Sequence, residues 1–87
     1  MSNLRKVYLS PVDGRKSFYG KCYVLEDEYG KMLYSYDTLV ARYIEGYGIR
    51  RSWSGWSATT QRHINSFLAY CGIDKRGKAY WDTVYYL

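Results

Sequence analysis

The sequence has few of the residues from which metal sites, disulfides and catalytic centres are usually built. Its 87 residues include two cysteines, Cys22 and Cys71, one histidine, His63, and one proline. A structural zinc site takes four clustered ligands, which this set does not supply. Both cysteines fall in apolar patterns, so we interpret them as small buried side chains with free thiols. We therefore expect no metal and no cofactor.

Long apolar segments are also missing. The longest uncharged stretch is far too short to span a bilayer. The first residues, Met-Ser-Asn-Leu-Arg-Lys-Val-Tyr, contain no apolar run of the kind found in signal peptides. We expect a cytoplasmic protein that has no membrane partner.

Sequence signatures of catalysis are absent as well. The chain shows no Gly-rich phosphate loop and no paired catalytic carboxylates. Asp37 and Asp82 are the carboxylates that could partner His63, and neither lies in a recognisable signature. We predict that the protein is not an enzyme and has no catalytic residues.

Acidic residues are outnumbered and unevenly placed. Thirteen Lys and Arg against eight Asp and Glu give a net charge of +5. Residues 1–16 carry four basic and one acidic residue, residues 17–47 three and five, and residues 48–87 six and two. Basic ends beside aromatic residues favour a phosphate-rich partner, whereas a merely cationic soluble surface is the plainer interpretation.

Tyrosine is the residue in excess. Twelve Tyr accompany three Trp and two Phe. A Tyr ring can cover a sheet, close a small core or serve as a contact residue at low entropy cost. Covering the sheet is the default interpretation, but twelve are more than so small a core can bury.

One stretch has the signals of an α-helix. The Ser57 hydroxyl can accept a free backbone N–H of the first turn, and Gly72 is a natural C-terminal stop. Between them, five residues recur at helical spacing within one arc; they are Thr60, Ile64, Phe67, Leu68 and Cys71. We predict a helix over residues 57–71 with Phe67 at the centre of its buried stripe.

The chain before this helix has the alternation of β-strands. Strands are predicted at residues 17–26, 31–36, 39–45 and 49–53, and Asp37-Thr38 forms either a turn between strands or a bend within one. Residues 17–53 should therefore form a β-meander. Residues 1–16 are a basic N-terminal arm or edge strand, and residues 72–87 are a basic, aromatic tail that forms a helical turn or a closing strand.

These elements predict one α+β domain over residues 1–87. We expect a small antiparallel sheet of three to five strands, with the single main helix packed on one face.

Two groups of polar residues are candidate binding sites. Thr59, Arg62 and His63 lie in the first turns of the helix, where free N–H groups favour an anion. The alternative for His63 is structural, with its ring hydrogen-bonded to the sheet. The second group is a basic rim beside tryptophans; it comprises Arg50, Arg51, Lys75, Arg76 and Lys78 with Trp53 and Trp56.

Two segments resemble a known kind of domain. Ser-Tyr-Asp-Thr-Leu-Val-Ala at residues 35–41 and Trp-Ser-Ala-Thr-Thr-Gln-Arg-His-Ile-Asn-Ser-Phe-Leu at residues 56–68 resemble a family of small uncharacterised domains encoded by bacteriophages, plasmids and Clostridia-type bacteria. The chain departs from the family pattern at Leu39, where proline is common, and at Gly46-Tyr47-Gly48, which replaces a simpler turn. The resemblance implies a setting, mobile elements in a bacterial host cell, and no activity.

Composition and resemblance together predict an accessory protein of a phage or mobile element. We expect it to bind nucleic acid or a host nucleoprotein complex, and an anti-CRISPR-like inhibitor of bacterial defence is one role that this setting implies. The alternative is a protein-binding module or homodimer that uses its tyrosine-rich sheet and does not contact nucleic acid.

Overall fold

The computed structural model describes residues 4–14 and 17–86, and it has the predicted α+β architecture. Five antiparallel strands follow one another across the sheet in chain order, which confirms the meander. The elements are β1 (Arg5–Tyr8), β2 (Cys22–Glu26), β3 (Gly30–Ser35), β4 (Thr38–Ile44), β5 (Gly48–Arg51), the main helix α1 (Ala58–Tyr70) and a short α2 (Lys78–Trp81).

The first predicted segment contains an edge strand. Two of the predicted strands are longer than the strands in the structure. β1 pairs with β2 along its whole length. The strand expected from Ser17 begins only at Cys22, because residues 18–21 form a turn in which the Lys21 N–H donates to the Phe18 carbonyl at 2.9 Å. The strand expected to end at Trp53 stops at Arg51. Asp37 lies in a turn between strands, with Tyr36 beside it.

The helix begins and ends close to its predicted limits. The Ser57 side chain accepts a hydrogen bond from the Thr60 N–H at 3.1 Å, and Gly72 adopts φ +79°, a left-handed conformation that suits glycine. Thr60, Ile64, Phe67 and Leu68 are buried as expected, whereas Cys71, predicted to be buried with them, is half-buried at the end of the helix. The buried sector is wider than the predicted stripe, and includes Gln61, His63 and Ser66.

The tail combines both predicted alternatives. Residues 78–81 form one helical turn, and Tyr86 then pairs with Arg51 as a parallel β-bridge. The Arg51 N–H donates to the Tyr85 carbonyl at 2.8 Å. The tail therefore covers the β5 edge at its Arg51 end.

The core lies between the sheet and the two helices. It contains Val24, Leu33, Ile64, Phe67 and Trp81, all fully buried. Apolar residues of β2, β3 and α1 meet there because strand alternation and helical spacing present them to the same layer.

Phe67→Ala should destabilise the domain by about 3–5 kcal/mol, because it removes a large ring from the packed core and leaves a cavity. Chemical denaturation of the variant and of wild type would measure the difference. A midpoint close to that of wild type would show that Phe67 does not carry the core.

Candidate nucleic-acid interface

The two faces of the sheet have different surroundings. The inner face, which carries Val24 and Leu33, is packed by α1 and by Trp81 of α2. The outer face has the opposite side chains, and within the described residues neither helix packs against it. The strand registers assign its members; they are Lys6, Tyr8, Tyr23, Leu25, Met32, Tyr34, Leu39, Arg42, Ile44 and Arg50.

One cross-strand row of the outer face has cations at both ends. Lys6 lies opposite Leu25, which lies opposite Met32, followed by Arg42 and Arg50 on β4 and β5. Strands are about 4.8 Å apart, so the row is roughly 19 Å long. It therefore has an apolar centre with positive charge on both sides.

A second row runs beside the first and is aromatic. Tyr8, Tyr23 and Tyr34 occupy neighbouring positions on β1, β2 and β3. The rings of Tyr23 and Tyr34 are stacked with centroids 5.3 Å apart, and Lys6 Nζ lies 4.3 Å from the Tyr23 centroid. Tyr8 at the edge keeps 59% of its surface exposed.

Among the described residues, the strand positions of the outer face hold no carboxylate, but Asp37 of the β3–β4 turn reaches the tyrosine row. Every charged side chain that the described strands place on the outer face is a cation. Glu26 lies on the inner side, where it accepts a hydrogen bond from the Tyr70 hydroxyl. Asp37, in the β3–β4 turn, accepts one from the Tyr23 hydroxyl at 2.9 Å, and this bond raises the pKa of Tyr23. The row from Lys6 to Arg50 is therefore cationic, whereas the tyrosine row is hydrogen-bonded to one carboxylate.

Arg42 and Arg50 form a like-charge pair. They lie directly opposite each other on adjacent strands, an arrangement that costs stability unless an anion lies between the charges. Arg42 Nε is buried and has no hydrogen-bond partner among the described residues. Arg50 Nη1 donates only to the neighbouring Ile49 carbonyl, at 2.8 Å. Among the described residues, neither guanidinium group is paired with a carboxylate.

The predicted basic rim is divided between the two sides of the molecule. Arg50 belongs to the outer face. Lys75 and Arg76 are exposed in the loop between the helices, which is fixed to α1 because the Gly77 N–H donates to Asn65 Oδ1 at 3.1 Å. Lys78 is paired with Asp82 at 2.8 Å.

Arg51 is not part of a binding surface, which corrects the sequence prediction. It is 6% exposed, and its guanidinium lies 4.8 Å from the ring centres of both Trp81 and Tyr86. Arg51 Nη1 donates to the Trp81 carbonyl at 3.2 Å and lies 3.8 Å from Asp82. Alternation sends Arg51 to the inner face, where it holds the C-terminal tail against β5.

The two predicted tryptophan contacts have different positions. Trp53 is partly buried against the core, and a side chain at Gly55 would come within 2.5 Å of its ring. Trp56 is 44% exposed, and its Nε1 donates to Gln61 Oε1 in the first turns of the helix at 2.9 Å. Lys78 Nζ lies 5.7 Å from the Trp56 ring.

Thr59, Arg62 and His63 are brought together, but Arg62 is already engaged. Thr59 is exposed, whereas His63 is 1% exposed. Arg62 forms a two-point ion pair with Asp13, with Nε–Oδ2 at 2.8 Å and Nη2–Oδ1 at 3.3 Å. The Asp13 carboxylate compensates the positive charge of Arg62, which we expected to bind an anion.

His63 makes the predicted structural contact with the sheet. Its Nδ1 lies 2.7 Å from Ser35 Oγ, and Ser35 Oγ lies 3.5 Å from Thr60 Oγ1, which accepts from the Ser57 hydroxyl at 2.9 Å. If the Thr60 hydroxyl donates to Ser35 and the Ser35 hydroxyl donates to His63 Nδ1, then Nδ1 is an acceptor and the imidazole proton lies on Nε2. The two segments that carry the family resemblance thus meet in one buried polar network.

Burial changes the pKa values of His63 and of the two cysteines. It lowers the pKa of His63 to about 4, with a further contribution from the Arg62 charge, so the ring is neutral near pH 7. Burial raises the pKa of the free thiols of Cys22 and Cys71 to about 12. Neither cysteine has the thiolate character of a reactive one.

Sequence reasoning missed Lys6, Tyr23, Tyr34 and Arg42 as candidate contacts. The alternation that predicted the strands also puts these four residues on one face. Alternation does not give the register between neighbouring strands, and this register places Arg42 opposite Arg50.

Most of the chain matches one protein-family model. A family model described as "Family of unknown function (DUF8033)" matches residues 7–83, and the chain belongs to this family. No curated protein and no solved structure matches it. Within residues 4–14 and 17–86, no helix is long and apolar enough to cross a membrane, and no group of His, Cys, Asp and Glu side chains could hold a metal ion.

Acidification should destabilise the protein through His63. The unfolded chain binds a proton at His63 near pH 6.5, whereas the folded protein resists it down to about pH 4, so stability should fall as pH decreases between these values. Thermal melts of wild type and His63→Asn across this range would measure it. The two proteins share every other titratable group, so identical pH dependences would contradict a neutral, buried His63.

Proposed function

We propose that this protein binds single-stranded nucleic acid through the outer face of its sheet and does so without catalysis. The observation that carries the proposal is the cross-strand row that runs from Lys6 to the Arg42–Arg50 pair, beside the tyrosine row. A cationic groove with neighbouring rings is the usual surface for single strands, because the charges follow the backbone while bases stack on rings.

The arginine pair supports phosphate as the group bound. Two guanidinium groups on adjacent strands repel each other in the free protein, and the buried Arg42 Nε lacks an acceptor among the described residues. A phosphate between the two guanidinium groups would neutralise the repulsion. Arginine forms its strongest hydrogen bonds with such oxyanions.

The charge of the outer face disfavours a symmetric dimer. A two-fold dimer through this face would bring the same patch of each copy together, so that cations would face cations. The apolar centre, Leu25 and Met32, is nevertheless suited to a protein partner. The experiments therefore distinguish nucleic-acid binding from self-association and from binding of an acidic protein.

Arg42→Gln and Arg50→Gln should each weaken binding and its dependence on salt. Removing one arginine–phosphate ion pair should lower the slope of log affinity against log salt by about 0.7 for a single strand. Fluorescence anisotropy with a labelled oligothymidine of about ten nucleotides would measure affinity at several salt concentrations. Both variants should melt at or above the wild-type temperature, because the like-charge repulsion is removed.

Lys75→Gln with Arg76→Gln is the matched control, since it removes two exposed cations from the helix side. If this control lowers the slope and the sheet variants do not, the interface is the loop between the helices. If wild type does not bind at low salt and light scattering shows a dimer, the protein-binding alternative replaces the proposal.

The mobile-element setting adds a second level to the proposal. We propose that the bound nucleic acid belongs to the phage or plasmid, or to a nucleoprotein complex of host defence. Capture from a bacterial lysate, with and without nuclease, separates these cases. Partners retained by wild type, released by nuclease and absent with Arg42→Gln support it; nuclease-resistant capture that is insensitive to Arg42 contradicts nucleic-acid contact.

A further inference from the structure

A cavity of about 300 Å³ lies beside His63, at the end of the sheet where two turns meet the start of α1. Its walls include Phe18 and Tyr19 from the turn before β2, Tyr36 from the β3–β4 turn, and Lys21, Arg62 and His63. The Tyr36 N–H donates to the Lys21 carbonyl at 2.9 Å, which fixes the two turns to each other. None of the outer-face side chains lines this cavity.

Two tyrosines border the cavity in a backbone conformation that tyrosine rarely adopts. Tyr19 has φ 53° and Tyr36 has φ 51°, and each is followed by another left-handed residue, Gly20 or Asp37. Asn, Asp and Gly normally occupy such positions, because a larger side chain is strained there. The rings are 71% and 55% exposed, so burial does not offset this strain. Strain retained at exposed positions is typical of residues kept for binding.

With the Ser35 hydroxyl donating to Nδ1, His63 offers a neutral Nε2–H in the same cavity. Its Nδ1 is occupied by Ser35, and no described residue hydrogen-bonds to Nε2, so Nε2 is the atom available to a ligand. The Phe18 ring contacts the imidazole edge-on at 4.4 Å, and the Tyr36 ring lies 5.6 Å away. A ligand there would meet rings and one N–H donor.

The charge around the cavity distinguishes a base from a simple anion. Arg62 is paired with Asp13, and burial keeps His63 uncharged, so a bare anion would find little compensation inside. Lys21 is exposed at the lining and carries a positive charge. This combination of rings, a neutral donor and one cation matches a planar heterocycle with an attached phosphate.

We infer that this cavity holds one unstacked nucleobase of the bound strand, between Tyr19 and Tyr36, with His63 Nε2 donating to an acceptor on the base. The inference rests on the proposed function, since it assigns a base to the strand whose phosphates bind the outer face. The β3–β4 turn connects the two sites, because Tyr36 borders the cavity while Asp37 receives the Tyr23 hydroxyl of the outer face.

The test compares two strands that differ only in their bases. Wild type should bind an oligothymidine of about ten nucleotides more tightly than an abasic strand of equal length, by between about 5-fold and 150-fold for one stacked base. The double variant Tyr19→Asn, Tyr36→Asn should lose this part of the preference, keep any part that comes from bases stacked on the outer-face tyrosines, and keep the wild-type salt slope. Asn tolerates the left-handed conformation, so this variant should fold at least as well as wild type.

Tyr47→Asn is the matched control, because Tyr47 is 70% exposed in the β4–β5 turn and does not line the cavity. It should keep the preference for the oligothymidine. A second readout is the His63 Nε2–H resonance, which should shift with the oligothymidine and not with the abasic strand.

Equal wild-type affinities for the two strands would overturn the base site while leaving phosphate binding on the outer face intact. An unchanged preference in the double variant would overturn it as well. Failure of wild type to bind either strand would overturn the proposed function together with this inference.

Discussion

The hydrogen bond between Ser35 and His63 is the contact that places the helix on the sheet. Ser35 is 3% exposed at the end of β3, and His63 is 1% exposed on α1, so this polar contact is made inside the core at a separation of 2.7 Å. A buried donor and acceptor without partners are costly, which gives such contacts their specificity. Shifting the helix by one residue would break this one. The Ser57 cap, Phe18 and the Tyr36 turn are all positioned around it.

Local patterns were sufficient to predict the fold. Ser57 and Gly72 bound the helix because each acts on backbone within its own turn. Thr60, Ile64, Phe67 and Leu68 are buried because helical spacing puts them on one side. The burial of Gln61 was not predicted, and that of His63 depends in part on Phe18, which reaches the helix from another segment. The strand limits at Cys22 and Arg51 likewise depend on turns that alternation does not reveal.

The candidate site was predicted less well, because a binding surface depends on which strands pair and in which register. Arg50 and Arg51 are adjacent in sequence, yet one belongs to the exposed face and the other holds the tail under Trp81 and Tyr86. Alternation along a strand sends their two side chains to opposite faces of the sheet. It could not tell which of the two lies inside, because that requires knowing which face receives α1. Arg62 was correctly placed near His63, but its partner Asp13 is 49 residues away in sequence.

The parallel bridge between Arg51 and Tyr86 affects how the molecule behaves at high concentration. A five-stranded sheet has two edges at which another chain can add, and a tyrosine-rich surface makes such growth favourable. The tail covers the β5 edge at Arg51. At the β1 edge, Arg5 and Lys6 are exposed, and their charges repel a second copy in the same position. Removal of Tyr85 and Tyr86 would expose the Arg51 backbone too, and a second chain could then pair along the whole of β5.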